Sequence, residues 1–279
     1  MNVDGILVVN LDSRPERWAL FQESKDHWIK AFETSPQRFP AVAGISLDGY
    51  DKPPWFRARI KDRRRKSWAG KAGAILSHRN AIHHAKEQGW NCVLILEDDA
   101  FLTEEMADLW KVELESMVVN LPKDWAVVYF YSAKPFSPFR IVSDRIGARL
   151  IEAAGAFGCV AYLLNCRIYD RLLQELPTEK TIWPWVARYK AIDLWLSNNL
   201  RRFGRVYAVA PSLVGHRVGP SDITMTPESE WTFDGEMKGL AYTGNPVLFG
   251  LKKTGRSIEG IYQELISLFR LGIKRLRGL

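Results

Sequence analysis

Three cysteines in 279 residues, Cys92, Cys159 and Cys166, are too few for a disulfide framework and form no pair at metal-binding spacing. The apolar neighbours of Cys92 and Cys159 suit reduced, buried thiols. No apolar run approaches the length of a membrane span, and the start Met1-Asn2-Val3-Asp4-Gly5 lacks the basic-then-apolar layout of a secretion signal. The expected address is cytoplasmic, with the inner face of the membrane as a peripheral site. A Walker loop is missing too, because Gly70-Lys71 has neither the upstream glycine nor the following Ser or Thr. The basic run of residues 57–66 has only Trp55, Phe56 and Trp68 at its flanks, without the interleaved aromatics of a nucleic-acid module. It reads as a solvated, mobile face, and no nucleic-acid partner is expected.

What the chain has is a normal globular balance, 47% hydrophobic, enough for one large domain or two small ones, with a net charge of +7 that favours an anionic partner. Its chemistry concentrates where Val93, Leu94, Ile95 and Leu96 run into Glu97, Asp98 and Asp99. Four aliphatics in a row predict a strand buried on both faces, with the carboxylates at its carboxyl end, the edge where open α/β sheets bind ligands. Three carboxylates there repel one another unless a cation or hydrogen-bond donors intervene. Alternation along a strand would put Glu97 and Asp99 on one side and Asp98 on the other. A hard divalent metal answers the repulsion. An acidic cap answers it as well, since Thr103, Glu104 and Glu105 predict a helix start just beyond.

Residues 6–11 predict a first buried strand, followed by Asp12, Arg14, Pro15 and Arg17 at a helix start, where guanidinium groups could pair with phosphate. Residues 39–45 predict a short second strand. Gly70 to Ala85 predicts a helix entered through small residues, with Ser77 and His78 facing the acidic cleft. Further strands are predicted over residues 125–131, 149–154 and 206–211, and small residues around Gly155 and Gly158 let backbone approach a ligand. Trp183-Pro184-Trp185 predicts a loop offering two aromatic faces suited to a pyranose. Asp193 is a single carboxylate at the head of an apolar helix, and its helix-start charge is a sufficient reason for it. The tail from Ser257 sets Ile258, Ile261, Leu265, Leu268, Phe269 and Leu276 opposite Lys and Arg, the pattern of a basic amphipathic helix.

In their order these motifs resemble glycosyltransferase family 25, the group that includes bacterial lipooligosaccharide galactosyltransferases. The resemblance runs from about Ile6 to Ile223. It rests on Val9-Asn10-Leu11-Asp12 with Arg14 and Arg17, Gly73 with Ser77-His78, Leu94 to Asp99, Gly155 to Tyr162, Ile192-Asp193, and Pro211 to His216 with Ser221-Asp222-Ile223. It departs at Lys71-Ala72-Gly73-Ala74, where the family usually has an acidic residue and a Gly-Cys pair. The resemblance implies a GT-A-type α/β fold over residues 1–240, a Rossmann-like, mostly parallel sheet flanked by helices, with residues 241–279 as a C-terminal extension. It implies inverting transfer of a hexose, galactose or glucose, from a UDP-sugar to a glycan or glycolipid acceptor in lipopolysaccharide or other surface-glycan synthesis. Glu97-Asp98-Asp99 would be a variant of the Asp-X-Asp motif, with Glu97, Asp99 and His216 as ligands of Mn²⁺ or Mg²⁺; imidazole favours Mn²⁺. Asn10, Asp12, Arg14, Arg17, Ser77, His78, Asp98, Gly155 and Gly158 would meet the donor, Trp183, Trp185 and Asp222 the acceptor, and Asp193 would be the base. A metal-dependent nuclease or phosphoesterase, and a non-catalytic basic module for membrane or nucleic acid, are the other classes the residues allow.

Overall fold

The structure, a computed structural model, describes residues 3–58, 60–145, 147–219 and 244–279. Asp222 and its neighbours, read above as acceptor contacts, lie outside the described residues. β1 (Gly5–Asn10) is buried at all its positions, as its unbroken apolar run requires. Helices α1 (Pro15–Gln22) and α2 (Lys25–Phe32) lead to β2 (Pro36–Pro40), which pairs in parallel with β1 and starts earlier than the sequence suggests. Of the residues expected to extend it, 41–43 are irregular, and Gly44 and Ile45 belong to a short 3-10 turn, Gly44–Ser46.

Helix α3 (Asp62–Glu87) begins inside the basic run, so that run is half loop and half helix rather than one mobile face. The glycines expected at the entrance of a helix lie in its interior, and a Cβ on Gly73 would sit 2.3 Å from the Val42 carbonyl oxygen. Glycine at 73 therefore lets the chain at Val42 lie directly on the helix. Next come β3 (Cys92–Glu97), β4 (Ala100–Phe101), α4 (Glu104–Leu109) and α5 (Glu115–Val119), the two helices being joined by a π turn. The Thr103 hydroxyl accepts from the Met106 amide at 3.3 Å, so the cap of α4 is Thr103 and not the acidic turn before it.

β5 (Trp125–Tyr129) precedes the hairpin of β6 (Lys134–Arg145) and β7 (Ala148–Phe157), which returns through β8 (Ala161–Asn165). The chain continues through α6 (Tyr169–Glu175), α7 (Ile182–Tyr189), α8 (Ile192–Asn199), β9 (Arg205–Ala210), β10 (Gly215–His216) and the 32-residue α9 (Pro246–Arg277). The eight-stranded sheet has the order β2-β1-β3-β8-β5-β9-β7-β6, and β10 pairs with β4 in a separate ribbon. The α/β sheet flanked by helices is as expected, but its strands are mixed in direction. β8 runs antiparallel to both β3 and β5, and β7 antiparallel to β6 and β9. β6 and β7 form a hairpin, whereas β8 is inserted between β3 and β5, neither of which adjoins it in sequence.

Alternation divides the core. Leu7, Val93 and Ile95 join a layer containing Ile75 and Leu76 of α3, Val186 of α7 and Leu196 of α8. Ile6, Val8, Leu94 and Leu96 join the opposite layer with Phe21, Trp28 and Trp110. α8 lies so close on β7 that a Cβ at Gly155 would be 2.0 Å from the Ser197 carbonyl oxygen. Gly155→Val should therefore cost about 1–3 kcal/mol by overpacking, read as a lower urea midpoint; an unchanged midpoint would show that the helix shifts freely.

Candidate active site

At the carboxyl end of β3 the strand stops at Glu97, and Asp98-Asp99 form a turn before β4. Because the turn breaks the two-residue alternation, the three carboxylates part ways. Asp98 turns toward β1. Its Oδ2 accepts from Asn10 Nδ2 at 2.7 Å and its Oδ1 from Arg17 Nη1 at 2.8 Å. Parallel pairing of Val9 with Glu97 brings Asn10 alongside, and the first turns of α1 supply Arg17. Burial pushes the Asp98 carboxyl up to about 6, with Arg17 and Asn10 pulling it down and the Asp99 charge adding to the rise.

Asp99 turns toward β10. Antiparallel pairing of His216 with Ala100 carries the imidazole to it, Nε2 lying 3.2 Å from Asp99 Oδ2. Burial raises the Asp99 carboxyl above the usual carboxylate range, against the hydrogen bond from His216. Its other oxygen, Oδ1, is buried and has no hydrogen-bond partner among the described residues. A buried carboxylate oxygen left this way costs free energy unless something beyond the described residues meets it.

Glu97 takes a third direction, toward α3: its Oε1 lies 3.5 Å from His78 Nε2, while His78 Nδ1 hydrogen-bonds the Tyr162 hydroxyl at 2.7 Å. The expected trio of Glu97, Asp99 and His216 is therefore not a single cage, and among the described residues no three His, Cys, Asp or Glu side chains form one. The pair that converges is Asp99 with His216.

The three carboxylates and His78 open onto a cleft of about 320 Å³, whose lining does not include His216. Its acidic wall is Glu97, Asp98 and Asp99; its other walls are α3, with Lys66, Gly70, Ser77 and His78, and the chain from Ala41 to Ile45. Ser77 holds that chain in place, donating to the Gly73 carbonyl at 2.7 Å and accepting from the Val42 amide at 2.8 Å. Its hydroxyl is thus engaged in shaping the wall.

Of the expected donor residues, Asn10, Arg17, Ser77, His78 and Asp98 come together here. Asp12 does not; it is exposed and pairs with Arg38 Nη2 at 2.6 Å. Arg14 offers its backbone carbonyl to Asn10 at 3.1 Å, while its guanidinium lies 3.5 Å from Glu16. Gly155 is covered by α8 and so faces no sugar, and Gly158, at φ +127°, turns the chain beside the Tyr131 ring. Trp183 and Trp185 are a correction of a larger kind: they lie in α7, buried, with indole N–H groups donating to the carbonyls of Asp48 at 2.7 Å and Glu175 at 3.2 Å. Pro184 is tolerated there because it falls in the first turn, and neither ring is left free to stack on a sugar.

Asp193 is half-buried at the start of α8 and accepts from the Leu194 amide at 2.7 Å. Burial raises its carboxyl above the usual range, that amide opposes the rise, and the Glu97 charge adds to it. Asp193 is not among the residues lining the cleft. Arg38 was not foreseen: its Nε donates to Asn10 Oδ1 at 2.7 Å and fixes the amide that holds Asp98. The signal was the spacing of Arg38 along a strand assigned too late in the sequence.

No family model matches the chain, and no curated protein does. The resemblance to family 25 thus stands on its motifs alone. Among solved structures, A197 from STIV aligns at 9% identity over 81% of this chain and 93% of that one, with a TM-score of 0.42. A glycosyltransferase involved in the glycosylation of the major capsid of PBCV-1 aligns at 8% identity over 65% of each chain, with a TM-score of 0.33. Likenesses this weak assign no activity.

Proposed function

We propose that the chain is a glycosyltransferase that takes a sugar from a nucleoside diphosphate donor, uridine diphosphate first, bound in the cleft below the acidic turn. The observation that supports this most is the buried, unpartnered Oδ1 of Asp99 beside His216, at the edge of a cleft that also holds Arg17 and Lys66. Two protein ligands suit Mn²⁺ or Mg²⁺ when diphosphate oxygens complete the shell, and Asp99 and His216 are the residues that would hold the ion. When bound, such a cation neutralises the charge that grows on the departing diphosphate.

The remaining steps belong to the chain. Asn10 and Arg17 engage Asp98, which keeps that carboxylate away from Asp99 Oδ1. Arg17 Nη1 is also 4.0 Å from Asp99 Oδ2, so its charge reaches both carboxylates. His78, gripped by Tyr162, orients Glu97 from the α3 wall. Asp193 is the proposed base for the acceptor hydroxyl, since burial raises its carboxyl and a raised carboxyl is the stronger proton acceptor. A glycan or glycolipid of surface-glycan synthesis is the acceptor class we propose, on the motif resemblance, and inverting hexosyl transfer the reaction.

The reading can be tested by melting the chain with Mn²⁺ and uridine diphosphate at about pH 7.5 and about pH 5. Asp98 has its folded pKa raised to about 6 from an ordinary 3.8, so the stability favouring its protonated form fades as pH rises between those values. A cation that favours the ionised turn should restore stability above that window, giving the larger Mn²⁺ shift at the higher pH. Equal shifts at both pH values would contradict it. Hydrolysis of a phosphodiester with no sugar nucleotide would favour the phosphoesterase instead.

A further inference from the structure

Helix α9 docks on the domain by the side that the sequence marks as polar. Lys253 Nζ pairs with the buried Glu152 at 3.0 Å, Arg256 Nε donates to the Ser137 carbonyl at 2.9 Å, and Arg188 Nε donates to Ser267 Oγ at 2.9 Å and pairs with Glu264. The helix ends beside a buried Leu279, whose amide donates to the Trp55 carbonyl at 2.7 Å. Its apolar side is left outward: Leu251, Ile258, Ile261, Leu265, Phe269 and Leu276 are between 61% and 74% exposed. Monomeric surfaces rarely keep such a stripe without a use.

We infer that this face of α9 is a docking surface for an anionic lipid bilayer, with the helix lying in the plane of the interface. The charges choose the occupant. At 100° per residue the stripe, which continues through the exposed Tyr262 and Leu248, meets Arg275 on one border and Lys252 and Arg277 on the other, where Glu259 also lies. The acidic residues of α9, Glu259 and Glu264, are engaged by Arg256 and Arg188, and no carboxylate pairs with Lys252, Arg275 or Arg277 among the described residues. A basic border around an apolar stripe complements phosphate headgroups over acyl chains. A second copy would bring like charge against like charge along both borders, because a two-fold contact sets the same patch against itself. No helix among the described residues is long and apolar enough to cross a membrane.

The inference needs no donor or metal, so it fails or stands apart from the sugar-transfer reading. The test is sedimentation of the full chain with vesicles of phosphatidylcholine alone or mixed equally with phosphatidylglycerol. The full chain should sediment with the mixed vesicles, and less so at about 0.5 M salt, where screening weakens the basic border. Leu265→Glu with Phe269→Glu places charge on the exposed stripe and should reduce the bound fraction at least tenfold with an unchanged melting temperature. Arg275→Glu with Arg277→Glu should remove the preference for the anionic lipid. Equal sedimentation of the stripe variant and the intact chain would overturn the inference. So would a dimer in solution that the stripe variant dissolves, with no vesicle binding, which would give the face to a second copy.

Discussion

Asp99→Asn should lower Mn²⁺-dependent affinity for uridine diphosphate by roughly two orders of magnitude or more while the fold persists. Substitution around a metal ligand already costs ten- to a hundredfold, and this change removes a ligand's charge outright. Volume and the approach of His216 are nearly preserved, and a buried carboxylate raised above its usual range disappears. The metal-free melting temperature should accordingly stay within a few degrees. Spin-resonance titration reads the effect directly, because the intact chain with nucleotide should deplete the free Mn²⁺ signal and the variant should not. Asn10→Ala is the control of the same turn. It takes away one of two donors to Asp98, so it should weaken binding less than Asp99→Asn and lower stability by about 1–3 kcal/mol for the polar group left unpaired.

The sequence carried the centre of this site because burial on both faces leaves an unmistakable apolar run, as in residues 6–9 and 93–96, and both runs end at the cleft. It misjudged the carboxylates because alternation was extended past Glu97, where the backbone turns. β6 was missed for a related reason. Pro135 and Pro138 argue against a strand in general, but β6 is the edge of the sheet, where proline is tolerated, and its pairing with β7 is irregular around Pro138. The tail shows a deeper limit: periodicity reveals that α9 has an apolar and a polar face, but not which one the domain covers. Ion pairs to Glu152 and Arg188, remote in sequence, decided that.

Asp193→Asn should leave donor binding intact and reduce transfer by roughly two orders of magnitude or more, the usual scale for loss of a general base. The helix-start reading predicts much less, because a first-turn charge contributes only about 0.3–1 kcal/mol, and to stability, not to rate. Asp193 stands outside the cleft lining, so the rate comparison with Glu97→Gln matters. If Glu97→Gln loses transfer while Asp193→Asn turns over near normally, the base is Glu97 and Asp193 returns to its place as a helix-start charge.

The most direct measurement of the central claim is calorimetric titration of uridine diphosphate into the intact chain, with Mn²⁺ and again with chelator. The acidic turn, with Asp98 locked and one oxygen of Asp99 without a partner among the described residues, predicts one site that binds with Mn²⁺ and is lost with chelator. Heat of binding that is the same with and without metal, or no binding in either, would contradict it.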